Sequence, residues 1–131
     1  MLIDNWGRDF SENYAKTDEK ASDPALRPVK SDLAPTVLAE QITSWVANKS
    51  RWNLESSSTD SDGRVKLHLI RTTLIWRFKD DIHVTISPRP AVADDQPGGS
   101  LVTAESQSRI GKGDLGQNPR NLRELLGVIR Q

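Results

Sequence analysis

The chain contains no cysteine among its 131 residues and only two histidines. The absence of thiols excludes disulfides, thiolate catalysis, cysteine-ligated zinc and iron–sulfur clusters. Two histidines without cysteine also argue against a transition-metal centre, since such sites usually combine several nitrogen or sulfur ligands. We therefore expect neither a metal ion nor a cofactor.

Long apolar runs are missing as well, and the 18 basic residues are balanced by 18 acidic ones. No stretch approaches the roughly 18 consecutive apolar residues of a spanning helix, and the start of the chain lacks the apolar run of a secretory signal. A net charge of zero provides no overall field that would attract nucleic acid. These features predict a cytoplasmic protein that neither spans a membrane nor binds nucleic acid.

A length of 131 residues accommodates a single domain and excludes a two-domain enzyme. Residues 1–30 are polar and punctuated by proline, and they are predicted to form an N-terminal segment ahead of one domain over residues 31–131. Within that segment Trp6, Phe10 and Tyr14 recur every fourth residue, a spacing that aligns them on one side of a helix. The helix either folds back on its own domain or docks on a partner.

The remaining sequence alternates between helical and strand periodicity. A helix is predicted from Ser31 or Asp32 as cap, with Pro35 in its first turn, to about Asn48. Period-two alternation then predicts strands near Trp52, from Val65, from Ile82 and over Ser100 to Ser106. A last helix is predicted with Asn118 as its cap and an apolar stripe of leucines.

Strands that follow one another without an intervening helix pair antiparallel. The predicted fold is therefore α+β, in the order helix, strands, helix, with an antiparallel sheet of about four strands and two helices packed on one face. The other face, which carries Lys66, His68, His83 and Thr85, is expected to meet water. The two histidines, with Asp80 and Asp81 nearby, are interpreted as exposed polar residues and not as a metal site.

The string from Gly111 to Gly116 reads G-x-G-x-x-G. A dinucleotide-binding fold also needs a second parallel strand and an acidic residue about 20 positions further on, which this sequence lacks before Gln131. Two interpretations of the loop stay open. Its amides face an anion together with Arg109, Lys112, Arg120 and Arg123, or Asp114 braces a tight turn against Arg109 or Arg120.

Three strings of residues together resemble a known family. They are Arg71-Thr72-Thr73, then Phe78-x-Asp80-Asp81, then Ser106-x-Ser108-Arg109-x-Gly111-x-x-Asp114-x-Gly116-x-Asn118-x-x-Asn121-Leu122-Arg123. The pattern resembles the uncharacterised bacterial and plastid family DUF1499, a domain of unknown function. The resemblance runs from about Asp32 to the end and does not include the first thirty residues. It implies a small α+β module and no catalytic assignment.

The three strings are far apart in sequence, yet their polar character predicts one cluster at an end of the sheet. Because buried charges persist only when they are paired, Asp80 or Asp81 is expected to pair with Arg109 or Arg71, while Asp114 accepts amides of its own loop. The cluster either fixes the end of the sheet or forms a pocket for a small polar or anionic ligand.

The predicted function is a non-enzymatic binding or assembly module that engages a protein partner. Two surfaces are expected to contribute, the basic loop and helix at the C-terminus and the aromatic residues Trp6, Phe10 and Tyr14. The residues proposed for ligand or partner binding are Arg71, Asp80, Asp81, Arg109, Lys112, Asp114, Asn118, Arg120 and Arg123. The alternative is a carrier or enzyme that holds a small anionic or lipid-like ligand between sheet and helices.

Overall fold

Six strands and two α-helices make up the described part of the chain. The computed structural model describes residues 14–73, 77–91, 98–109 and 117–130. In chain order the elements are β1 (Tyr14–Lys16), a 3-10 helix (Pro24–Leu26), β2 (Val29–Ser31), α1 (Pro35–Ala47), β3 (Trp52–Thr59), β4 (Val65–Thr72), β5 (Lys79–Pro88), β6 (Ser100–Ser108) and α2 (Gln117–Arg130).

All six strands belong to one antiparallel sheet in the order β1-β6-β5-β4-β3, with β2 also pairing with β6. Strands β3 to β6 form the predicted meander, and the predicted α+β class is confirmed. The predicted count of about four strands is wrong. Strands β1 and β2 have three residues each, which is too short for period-two alternation to be visible in a sequence.

Both additional strands come from the N-terminal segment. Tyr14 is the first residue of β1, so the prediction that it continues a helix with Trp6 and Phe10 is wrong at this position. Trp6 and Phe10 themselves lie outside the described residues. Because β1 and β2 pair with β6, residues 14–16 and 29–31 take part in the sheet. The division into a segment over residues 1–30 and a domain over residues 31–131 stays a prediction.

Alternation along the strands places one face of the sheet against both helices. The buried strand residues on this face are Val65, Leu67, Leu69, Ile82, Val84, Ile86, Val102 and Ala104. They form a single core with Leu38, Ile42 and Val46 of α1 and Leu122, Leu125 and Leu126 of α2. Each fully buried side chain of this size contributes about 1.5–3 kcal/mol relative to an exposed position. In the described ranges neither helix is long and apolar enough to cross a membrane.

The first residues of the two helices differ from the prediction. Helix α1 begins at Pro35 after Ala34, which provides no side-chain cap, and Ser31 lies in β2. Asn118 was expected to cap the last helix, but it lies within α2 and its side chain is fully buried. Its side-chain amide instead makes hydrogen bonds to Ser106 and Ser108 of β6.

Candidate functional site

Among the polar residues expected at one end of the sheet, Arg71, Asp80, Asp81 and Arg109 do lie there, but the sheet divides them into two groups. The pairing register places Arg71 beside Asp80 and Asp80 beside Ser108. Successive residues of a strand point to opposite faces. Asp80 is therefore buried on the face covered by the helices, whereas Asp81 lies on the open face.

On the helix side a buried network joins the sheet to the first turns of α2. Asn121 donates to Asp80 Oδ2 at 2.9 Å and to Ser106 Oγ at 3.1 Å. Its amide oxygen accepts hydrogen bonds from Arg71 Nη1 at 2.8 Å and Gln117 Nε2 at 2.6 Å. Asp80 and Asn121 are both fully buried, and the Asn121 amide supplies a hydrogen-bond donor to the buried Asp80 carboxyl group.

Asn118 extends the same network along the end of β6. It accepts a hydrogen bond from Ser106 Oγ at 2.7 Å and donates to Ser108 Oγ at 3.0 Å. The buried hydroxyls and amides are thus connected continuously from the sheet into α2. Such a network positions α2 on the sheet. This role corresponds to the first of the two alternatives for the cluster, namely that it fixes the end of the sheet.

On the open face, Asp81 is held between a guanidinium and an imidazole. Arg109 Nε and Nη2 donate to the two Asp81 carboxylate oxygens at 2.9 and 3.0 Å, and His68 Nε2 lies 2.7 Å from Oδ1. The predicted pairing of one of the two aspartates with Arg109 is present. Hydrogen bonds from Arg109 lower the pKa of Asp81, partial burial opposes this shift, and the hydrogen bond with His68 lowers the pKa further.

The pairing also determines what His68 can do. The same ion pair raises the pKa of Arg109, so both partners stay charged near neutral pH. An ionised carboxylate only accepts hydrogen bonds, so Nε2 of His68 carries a proton and donates it to Asp81 Oδ1. The ring stacks on His83 with a centroid distance of 4.4 Å and an interplanar angle of 24°. His68 is therefore fixed in orientation by contacts with two residues of β5.

Two adjoining depressions cross the open face beside these histidines. One has a volume of about 300 Å³ and is lined by Lys16, Thr17, His83, Thr85, Thr103, Ala104 and Glu105. The other has a volume of about 200 Å³ and is lined by Ser56, Ser58, Lys66, Leu67, His68, His83, Val84 and Thr85. His83 and Thr85 belong to both, so we treat the two depressions as one trough.

The acidic side chains near the trough already have partners. Asp81 is paired with Arg109, and Glu105 Oε2 accepts a hydrogen bond from the Tyr14 hydroxyl at 2.6 Å. By contrast, Lys66 and His83 are exposed and make no hydrogen bond or ion pair within the described ranges. The trough therefore presents available hydrogen-bond donors and one uncompensated ammonium group.

The other residues predicted for binding have different surroundings. Arg123 Nε donates to Asp23 Oδ2 at 2.8 Å and lowers the pKa of that carboxyl, and Arg120 Nη2 donates to Gln117 Oε1 at 3.0 Å. Arg120 and Arg123 thus both have partners in their own chain. Lys112 and Asp114 lie outside the described residues. Arg71 and Asn118 belong to the buried network.

Sequence reasoning placed Lys66, His68, His83 and Thr85 on the open face but assigned them no binding role. The signal that was available is the period-two alternation, which identifies the face of each residue. The missing information is the register between strands, which brings Thr103 beside Thr85 and Thr85 beside Lys66. Without it the trough could not be recognised.

An antiparallel meander with two helices packed on one face defines a small α+β module. The sequence profile of a family described as "Protein of unknown function (DUF1499)" matches residues 9–128, and the chain belongs to this family. The match begins at residue 9, so the expectation that the resemblance leaves out the first thirty residues is wrong. No curated protein and no solved structure matches the chain.

Proposed function

We propose that this protein is a binding module whose ligand is an anion held in the trough on the open face of the sheet. The observation that carries the proposal is the presence of Lys66 and His83 at the trough, both exposed and without a hydrogen bond or ion pair from the described residues. A lysine ammonium offers three donors and a full positive charge. An anion is the ligand that this combination recognises.

The hydroxyls of the trough support the same conclusion. Ser58, Thr85 and Thr103 line it beside Lys66, and each hydroxyl can donate a hydrogen bond to an anionic oxygen. The Asp81 carboxylate does not take up the hydrogen-bond donors of the trough, because both of its oxygens accept hydrogen bonds from Arg109. The face is thus preorganised for a negative group, although the chain as a whole has no net charge.

The position of this site differs from both sites predicted from the sequence. The layer between sheet and helices is filled by buried aliphatic side chains of the core, which does not support a ligand there. Two of the arginines expected to contact a protein partner bond within the chain, Arg123 to Asp23 and Arg120 to Gln117. Arg130 of the same helix also donates to the carbonyls of Pro24, Ala25 and Arg27. A protein partner at the C-terminal surface stays a prediction, and the open face is the better supported site.

Titration of the labelled protein with inorganic phosphate and with citrate, followed by amide and imidazole NMR shifts, tests the proposal. We expect saturable shifts that centre on Lys66, His83 and Thr85. Lys66→Gln should weaken binding about tenfold, because a hydrogen bond to a charged group contributes about 1.5 kcal/mol. The matched control is Lys30→Gln, which removes an exposed lysine of β2 that lines neither depression.

Shifts confined to the helix side of the sheet would refute this site. So would a Lys66→Gln variant that binds both anions as tightly as the parent protein. An equal loss in the Lys30→Gln control would show that only the general charge of the molecule matters.

A further inference from the structure

The trough has a regular composition that follows from the strand register. One row of residues crosses the sheet through directly paired positions, Ser56, His68, His83, Glu105 and Lys16. A second row, two residues further along each strand, consists of Ser58, Lys66, Thr85 and Thr103. The rows are about 7 Å apart, because each residue of a strand advances about 3.4 Å.

The two rows differ in the size of their side chains. The second row is made mainly of short hydroxyl side chains, and we call it the floor of the trough. The first row carries the longer side chains of Lys16, His68, His83 and Glu105, and we call it the wall. The trough runs from β1 to β3 across five neighbouring strand positions. Four spacings of about 4.8 Å give a length of about 19 Å. This is longer than a single compact anion needs.

We propose that the ligand is an extended, hydroxyl-bearing anionic chain, of the chemistry of an acidic oligosaccharide, lying across the strands. This inference rests on the proposed function, because it uses the same trough and the same ammonium group. The floor offers three hydroxyls and one ammonium group, which matches a chain that carries many hydroxyls and few charges. A polyphosphate would place several charges where the floor has one cation.

The wall is suited to the flat surface of a sugar ring. His68 and His83 stack on each other, and His68 is held by Asp81, which is itself held by Arg109. The stacked rings cannot rotate freely, so the exposed edge and face of His83 are fixed in place for packing against C–H groups. At the β1 side the Glu105 carboxylate lies beside the Lys16 ammonium group and offsets its charge, so the charged unit of the chain lies at the Lys66 side.

Isothermal titration calorimetry with galacturonic acid, tetragalacturonate, maltotetraose and inorganic phosphate tests this inference. We expect tetragalacturonate to bind at least tenfold more tightly than the single sugar acid, and at least tenfold more tightly than the neutral maltotetraose. Thr85→Val removes a floor hydroxyl with little change of shape, and it should weaken tetragalacturonate binding about fivefold.

The control variant is Thr59→Val, which alters an exposed threonine of β3 on the opposite face, where it pairs with Val65. If phosphate binds but tetragalacturonate binds no better than galacturonic acid, the chain-like ligand is refuted while the anion site stands. If none of the probes binds, both proposals are refuted. If tetragalacturonate binds equally to the parent protein and to Thr85→Val, the chain lies elsewhere and this inference is refuted.

Discussion

Replacing Asn121 by alanine should destabilise the protein more than almost any other single polar substitution. This side chain is fully buried and makes four hydrogen bonds, to Arg71, Asp80, Ser106 and Gln117. A buried hydrogen bond contributes about 1 kcal/mol net, and a partner left buried without its bond costs about 1–3 kcal/mol. Because Asp80 would lose a donor in the interior, we expect a loss of about 3–5 kcal/mol.

Urea unfolding followed by far-ultraviolet circular dichroism measures this loss. With a slope of about 2 kcal/mol per molar urea, the midpoint should fall by about 2 M. Asn53→Ala is the matched control, because Asn53 is exposed on the edge strand β3 and its removal should change stability by less than about 0.5 kcal/mol. If the Asn121 variant does not fold, Ser108→Ala tests the same network by removing one hydrogen bond to Asn118, with an expected loss of about 1 kcal/mol.

A loss below about 1 kcal/mol for Asn121→Ala would refute the reasoning. It would mean that the network under α2 adds little to the apolar core. A similar loss in the Asn53→Ala control would show that the measured effect does not arise from burial.

The remaining predictions concern two ion pairs at the surface, Asp81 with Arg109 and Asp23 with Arg123. Asp81 has its pKa lowered by Arg109, so it contributes stability above the ordinary value of 3.8 that is lost as the pH falls through the lower folded value. Arg109→Gln should raise the pKa of Asp81, seen by carbon NMR of the carboxyl group, and should reduce the difference in stability between pH 7 and pH 3; an unchanged pKa would contradict the bidentate pair. Arg123→Ala should raise the pKa of Asp23 without a measurable change in the urea midpoint, because both side chains are well exposed. A clear loss of stability in the Arg123→Ala variant would instead show that the contact between Arg123 and Asp23 holds the residues near Asp23 against α2.

The neighbours Asp80 and Asp81 show how far sequence reasoning could go with the site. Their position after a turn and before an alternating strand indicates that both lie at the end of the sheet. Alternation also requires that they point to opposite faces, which separates a buried network from an exposed ion pair. That Asp80 is bound by Asn121 could not be predicted, because 41 residues separate them and many polar residues were candidates.

Helix α2 shows the same limit of prediction from sequence. The spacing of Leu122, Leu125 and Leu126 predicts a helix with one apolar side, and all three are buried in the core. The amide of Asn118 was interpreted as a cap, which is its most common local use at a helix start. It is instead bound by Ser106 and Ser108, two hydroxyls that only the packing of α2 on β6 brings within reach.

The sequence by itself determined the periodicities, and with them which residues share a face of a strand or a side of a helix. Those patterns depend only on local backbone geometry, so they can be read without knowing the fold. The tertiary structure alone decided that two three-residue strands complete the sheet at β6 and that Lys66, Thr85 and Thr103 stand in one row. These arrangements depend on hydrogen-bonded register between distant segments, which has no local signature in the chain.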